Sequence, residues 1–138
     1  MDEKVREFFA RYEKANTEFD VPEIASLYAD VFLFGGPQGV QSIKKDDFVK
    51  VLPRRKDFFK SLGLASSKVK RIEASELDSN YILTKVVWKM RIDGVDKAPA
   101  EIETSATYVL WNSGNCLQIV FQVDHQDLAK KIQAINGP

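Results

Sequence analysis

The chain has 138 residues, 44% of them hydrophobic, and carries 20 basic side chains against 20 acidic ones. That is enough apolar material for a domain with a real core, and too much for a disordered chain. Balanced charge excludes a general nucleic-acid or membrane-surface binder, which needs a basic excess. The longest apolar runs, such as Tyr108–Trp111 and Ile119–Phe121, are too short to span a bilayer. One cysteine and one histidine leave neither an internal disulfide nor a zinc cluster, so no metal and no cofactor is expected. The opening "MDEKVREFF" has no signal-peptide core, and the expected setting is a reducing cytoplasm. No repeat or linker interrupts the pattern, so residues 1–138 are read as one domain.

In chain order, residues 2–18 place Val5, Phe8, Phe9, Tyr12 and Ala15 at helical spacing, with Asp2 and Glu3 suited to the N-terminus. "DVPEIASLYAD" restarts a short helix with Asp20 as N-cap, Pro22 in the first turn and an Ile24, Leu27, Tyr28 stripe. "VFLF" reads as a strand and "GVQSI" as its return after a Gly-Pro turn. Residues 44–63 are helical, with Phe48, Leu52, Phe58, Phe59 and Leu62 on the apolar side. Pro53 is expected to kink that helix or start a second segment, and Gly63 to follow its end. From residue 66 the period becomes two. Strands are expected near 67–76, 81–92, 101–112 and 116–125, with turns at "DSN", "DGVDKAP" and "NSGN", and "DLAKKIQAI" closes as a helix. Helices first and a run of antiparallel strands after them mean an α+β fold with segregated helices covering one sheet face.

In 81–92 the Thr84, Val86, Trp88, Met90 and Ile92 face must be the inner one, opposite Lys85, Lys89 and Arg91. The next hairpin has two registers. A tight turn at Ser113-Gly114 puts Ala106, Tyr108 and Leu110 beside Leu117, Ile119, Phe121, Val123 and His125. A looser one puts Glu103, Thr107, Val109 and Trp111 beside that same set. Either way the outer face keeps large apolar residues, which points to a homodimer built on that face.

Together, "RYEKANTEFD", "IASLYADVFLFGGPQG" and four long strands closing in "LQIVFQVDH" resemble the nuclear-transport-factor-2-like superfamily. It includes SnoaL-like polyketide cyclases, ketosteroid isomerases, scytalone dehydratase and kinase association domains. The resemblance implies a cystatin-like α+β cone, a curved sheet wrapped around helices with a pocket at its mouth, commonly dimeric. Carried over from ketosteroid isomerase, Tyr12 matches the oxyanion-donating tyrosine. The general-base position reads Gly36, and the second donor position falls near Thr107. Gly36 cannot take a proton, so isomerase chemistry by that route is lost.

The expected pocket lining is Phe9, Tyr12, Tyr28, Phe34, Phe59, Trp88, Met90, Tyr108, Phe121 and His125, suited to a small apolar ligand. His125 reads either as an acid/base at the rim, oriented by Glu103 in the looser register, or as a solvated strand-end histidine. "PRRK" at 53–56 reads as an anion site or as a solvated helix turn, and Cys116 has no activating neighbour. Two functions remain open, with a pure assembly domain as a third. The first is a dimeric small-molecule-binding domain. The second is a SnoaL-like cyclase, isomerase or dehydratase using His125 with Tyr12 as hydrogen-bond donor.

Overall fold

The computed structural model describes residues 3–94 and 98–136. Asp2 and the centre of the "DGVDKAP" turn lie outside them. Helix α1 (Glu3–Glu18) buries Val5, Phe8, Phe9 and Ala15 along one stripe. It ends where Phe19 turns left-handed at φ 53°. Asp20 then caps α2 (Val21–Ser26), its carboxylate accepting from the Glu23 amide at 3.2 Å. The short helix stops before Tyr28, which leads β1 (Tyr28–Gly36) rather than completing a helical stripe. The Leu27 carbonyl accepts from the Ile119 amide at 2.8 Å, so the sheet takes the chain at that point.

β1 and β2 (Gly39–Lys44) form a hairpin in which Gly36 faces Gly39 across Pro37 and Gln38. Helix α3 (Lys45–Ser61) runs through Pro53 as one element, so the proline does not start a second segment. Pro53 is exposed and forfeits one backbone bond. The apolar stripe of α3 is also thinner than expected, because Leu52 is buried while Phe58 is exposed. Gly63 follows the helix at φ +102°, and a Cβ there would collide with the Asp93 carbonyl oxygen. The close approach is locked by the Asp93 amide, which donates to the Gly63 carbonyl at 2.8 Å.

β3 (Leu64–Glu76), β4 (Tyr81–Ile92), β5 (Ala100–Asn112) and β6 (Leu117–Asp124) complete the sheet, and α4 (Leu128–Asn136) follows. The strand order is β2-β1-β6-β5-β4-β3. The fold is α+β with a curved, unclosed sheet, as expected. The sheet is not wholly antiparallel, because β1 and β6 run parallel. α3 carries the chain from β2 to the far edge of the sheet, and the meander β3 to β6 returns to the free side of β1 in the same direction.

Each of the two face assignments expected for the last hairpin holds in one half of it, although neither exact register does. Leu110 faces Ile119 and Asn112 faces Leu117 near the turn, but Val109 faces Phe121 and Thr107 faces Val123 beyond it. Val120 is the extra residue, and this β-bulge reverses the phase of β6. Leu117 and Ile119 therefore point inward, and after the bulge so do Gln122 and Asp124, across from Tyr108 and Ala106. Phe121 and Val123 turn to the outer face.

Candidate functional site

On the inner face, α1 supplies Tyr12, β1 Tyr28, β4 Trp88, β5 Tyr108 and β6 Gln122 and Asp124. Their rings pack together, with Tyr12 at 5.5 Å from Trp88 and 5.8 Å from Tyr108 between centroids. Their polar atoms form two adjoining runs of hydrogen bonds. The Trp88 indole donates to the Tyr108 hydroxyl at 3.2 Å. The Tyr108 ring stands edge-on to that of Tyr12, and the Tyr12 hydroxyl meets that of Tyr28 at 3.2 Å. Tyr28 donates to Gln122 Oε1 at 2.7 Å, and Gln122 Nε2 donates to Asp124 Oδ1 at 3.1 Å.

The end group sets the direction of the protons in each run. An indole N–H only donates and an ionised carboxylate only accepts. The Gln122 amide must therefore turn its NH₂ to Asp124 and its oxygen to Tyr28. Tyr28 spends its proton on that oxygen, so Tyr12 donates to Tyr28. Among the described residues no buried side-chain nitrogen or oxygen lacks a partner. A satisfied network of this kind holds a single arrangement of side chains.

Burial is the main cause that pushes all three phenols above their ordinary value, Tyr28 and Tyr108 furthest. The Asp124 carboxylate adds to the rise in each. Tyr12 is raised least, because its two phenolic neighbours can both donate to its oxyanion, with a smaller opposing influence from Arg55. At neutral pH the phenols are hydrogen-bond donors, and Asp124 is the acceptor at the end of the chain.

Of the expected lining, Phe9, Tyr28, Trp88, Met90 and Tyr108 are buried, while Tyr12, Phe34 and Phe59 are half-buried. Met90 packs beside Thr104, whose hydroxyl reaches its sulfur at 3.9 Å. Phe59 lies on α3 beneath the Arg55 guanidinium, 5.1 Å from its ring centroid. Phe121 and His125 are not part of this group. His125 is exposed, and its Nε2 lies 2.7 Å from Thr107 Oγ1 on the outer face. The residue opposite His125 is Ser105, whose carbonyl accepts from the His125 amide at 3.1 Å, so Glu103 does not orient the ring. Glu103 is instead paired with Lys70 and its carboxyl is held low by that bond. Thr107, the second-donor position implied by ketosteroid isomerase, also faces outward. Phe121, His125 and Glu103 thus lie apart from Tyr12, and the physical reason is the extra residue at Val120. Gln122 and Asp124 were missed for the same reason.

"LFGGPQG" forms the tip of the β1–β2 hairpin, and a side chain at Gly36 would meet nothing within 4 Å. A separate groove of about 420 Å³ lies between α1 and β3, lined by Ala10, Glu13, Lys14, Thr17, Glu18 and Lys68. It shares no residue with the tyrosine chain. Among the described residues no group of three or more His, Cys, Asp or Glu side chains is placed to hold a metal ion.

No protein-family model matches the chain, and no curated protein matches it in sequence. Solved structures do match in architecture. A nuclear-transport-factor-2-like protein with a cystatin-like fold from Novosphingobium aromaticivorans superposes with a TM-score of 0.70 at 11% identity, covering 94% of this chain and 86% of its own. The beta subunit of benzoate 1,2-dioxygenase from Burkholderia mallei gives 0.69 at 14% identity over 94% and 92%. A ketosteroid isomerase-like protein from Erwinia carotovora gives 0.62 at 14% identity over 88% and 92%. At such identities the likeness is one of fold, and it agrees with the element order and the curved sheet: the chain has the nuclear-transport-factor-2-like, cystatin-like α+β fold.

Proposed function

We propose that this chain is a homodimeric small-molecule-binding domain whose ligand sits at the Asp124 end of the inner face. The observation that carries the reading is the polarised chain from Tyr12 through Tyr28 and Gln122 to Asp124, packed beside Trp88 and Tyr108. Tyr28, Trp88 and Tyr108 are buried, while Asp124 at its end is half-buried beside the small Ala106. A carboxylate that only accepts, set against aromatic walls, suits an apolar molecule bearing one hydroxyl or amine. The outer face, with its exposed apolar residues, supports self-association, and a reducing cytoplasmic setting agrees with the free, exposed thiol of Cys116.

A second reading is favoured by the same carboxylate. If the domain is catalytic, Asp124 is the acid/base and Tyr12 the donor to a developing oxyanion, because the phenols stay protonated and His125 lies on the other face. The similarity to an isomerase-like protein supports that alternative as far as architecture goes.

The test is a thermal-shift screen with aromatic and alicyclic alcohols and amines, run on wild type and Asp124→Asn. Binders should raise the wild-type midpoint and lose at least about tenfold in affinity on Asp124→Asn, the value of one charge-assisted hydrogen bond. Equal binding by both proteins refutes the assignment of Asp124. Turnover of a bound carbonyl compound that Asp124→Asn abolishes selects the catalytic reading.

A further inference from the structure

The "PRRK" run at residues 53–56 takes no part in the inner hydrogen bonds, and α3 places it on a distinctive surface. The whole chain balances 20 basic side chains against 20 acidic ones, yet α3 carries six basic against three acidic. Asp46 and Asp47 occupy its first turn, where they complement the helix dipole. Beyond that turn, Lys50, Arg54, Arg55, Lys56 and Lys60 stand against Asp57 alone.

These side chains divide between two sides of the helix. Leu52 is buried, and the Lys56 ammonium sits over the Phe19 ring, 4.3 Å from its centroid. Val51, Arg54, Arg55 and Phe58 recur at i, i+3, i+4 and i+7, so they share another face. All four are exposed, Val51 at 48% and Phe58 at 47%. The stripe is two turns long, about 10 Å.

The arginines on this stripe are positioned without being neutralised. The Arg55 guanidinium lies over the Phe59 ring, 5.1 Å from its centroid, and Phe58 meets Phe59 edge-on at 5.3 Å. Stacking uses the flat face of a guanidinium and leaves the N–H donors at its edge free. Among the described residues, ion pairs hold Arg11, Lys45, Lys70, Lys89 and Arg91, and none joins Arg54 or Arg55 to a carboxylate.

We infer that this stripe docks an acidic amphipathic helix of a partner protein, whose apolar side chains cover Val51 and Phe58 while its carboxylates pair with Arg54 and Arg55. The charge complementarity is specific in kind, because a guanidinium fork matches a carboxylate with two parallel hydrogen bonds. Apolar anchors two turns apart with charge between them repeat at the period of a helix lying alongside. Two apolar side chains beside Asp57 are too narrow a face for a lipid surface, which takes a broad apolar face into the headgroup layer. A chain without net charge also lacks the wide positive field that gathers a polyphosphate. The docking surface is independent of the ligand-binding reading and stands or falls without it.

Fluorescence anisotropy on the full chain tests this. The probe is a labelled peptide of about 20 residues, built of Glu, Ala and Leu with leucines at i, i+3, i+4 and i+7, long enough to be helical alone. Wild type should bind it with a dissociation constant on the order of 10–100 µM, rising with salt, as small charged interfaces do. Arg54→Glu with Arg55→Glu should weaken binding at least about 30-fold, Phe58→Ser at least about fivefold, and Lys89→Glu not at all. The substituted positions are exposed, so unchanged circular dichroism and urea midpoint will show that the fold is kept, and Phe58→Ser carries the test alone if the double variant is unstable. No saturable binding at about 1 mM peptide, or equal binding by wild type and the double variant, overturns the inference. Equal affinity for a peptide of the same composition with scrambled leucines overturns the helical match. Binding to phosphatidylserine vesicles that the double variant loses, without binding to the peptide, assigns the stripe to a lipid surface and overturns the protein partner.

Discussion

The three buried phenols make stability above pH 10 a direct readout of the inner network. A phenol's pKa is about 10 in an unfolded chain. In the folded protein Tyr12, Tyr28 and Tyr108 all lie higher, mainly through burial. The folded state therefore holds protons that the unfolded state releases. The contribution is fully present below pH 10 and is lost as pH rises through the folded values. Each phenol then adds a slope of up to about 1.4 kcal/mol per pH unit, so the trio approaches about 4 kcal/mol per unit roughly one pH unit above 10. Against a typical stability of 5–15 kcal/mol, unfolding should follow within about two pH units. Tyr28→Phe should reduce the slope by about a third. At neutral pH it should also cost about 1–3 kcal/mol, because Gln122 Oε1 and the Tyr12 proton lose their shared partner. Urea titrations across pH 7–11, with tyrosinate absorbance followed in parallel, measure both effects. Stability that stays flat above pH 10, or a slope unchanged in Tyr28→Phe, would refute the argument.

Two backbone predictions follow from local geometry. Gly63→Ala must hold a left-handed residue and push back the Asp93 carbonyl, so a loss of more than about 2 kcal/mol in urea unfolding is expected. A loss below half that would show that the α3–β4 contact relaxes freely. Asp20→Ala removes the cap on the Glu23 amide and should cost about 1 kcal/mol, with Asp20→Asn close to wild type. Equal losses for both would mean that charge, not the cap bond, is what matters there.

Much of the architecture was legible because the period of apolar residues is a local signal. The 81–92 strand was bounded correctly, since Ile82, Thr84, Val86, Trp88, Met90 and Ile92 alternate without a break. Tyr28 was misassigned because Ile24, Leu27 and Tyr28 satisfy helical spacing equally well, and only the bond from Ile119 to Leu27 decides between them. The parallel β1–β6 pairing joins residues about ninety apart, and no local pattern records it. The inner site was half legible. Tyr12, Tyr28, Trp88 and Tyr108 could be gathered from face counting, whereas Gln122 and Asp124 were hidden by the phase reversal in β6. One cue was present, because Ile119, Val120 and Phe121 are three large apolar residues in a row where strict alternation allows only every second one.

Val120 thereby governs two surfaces at once. Were Val120 drawn into regular pairing instead of bulging, Phe121, Val123 and His125 would turn into the interior and Gln122 and Asp124 out to solvent. The carboxylate would leave the tyrosines, and the outer face would lose Phe121 and Val123, in the same event. Ligand recognition and self-association are thus written in the two phases of one strand. Neither can drift in register without rewriting the other: closing the bulge over a retained Val120 would disturb both surfaces, while deleting Val120 would leave both faces in place.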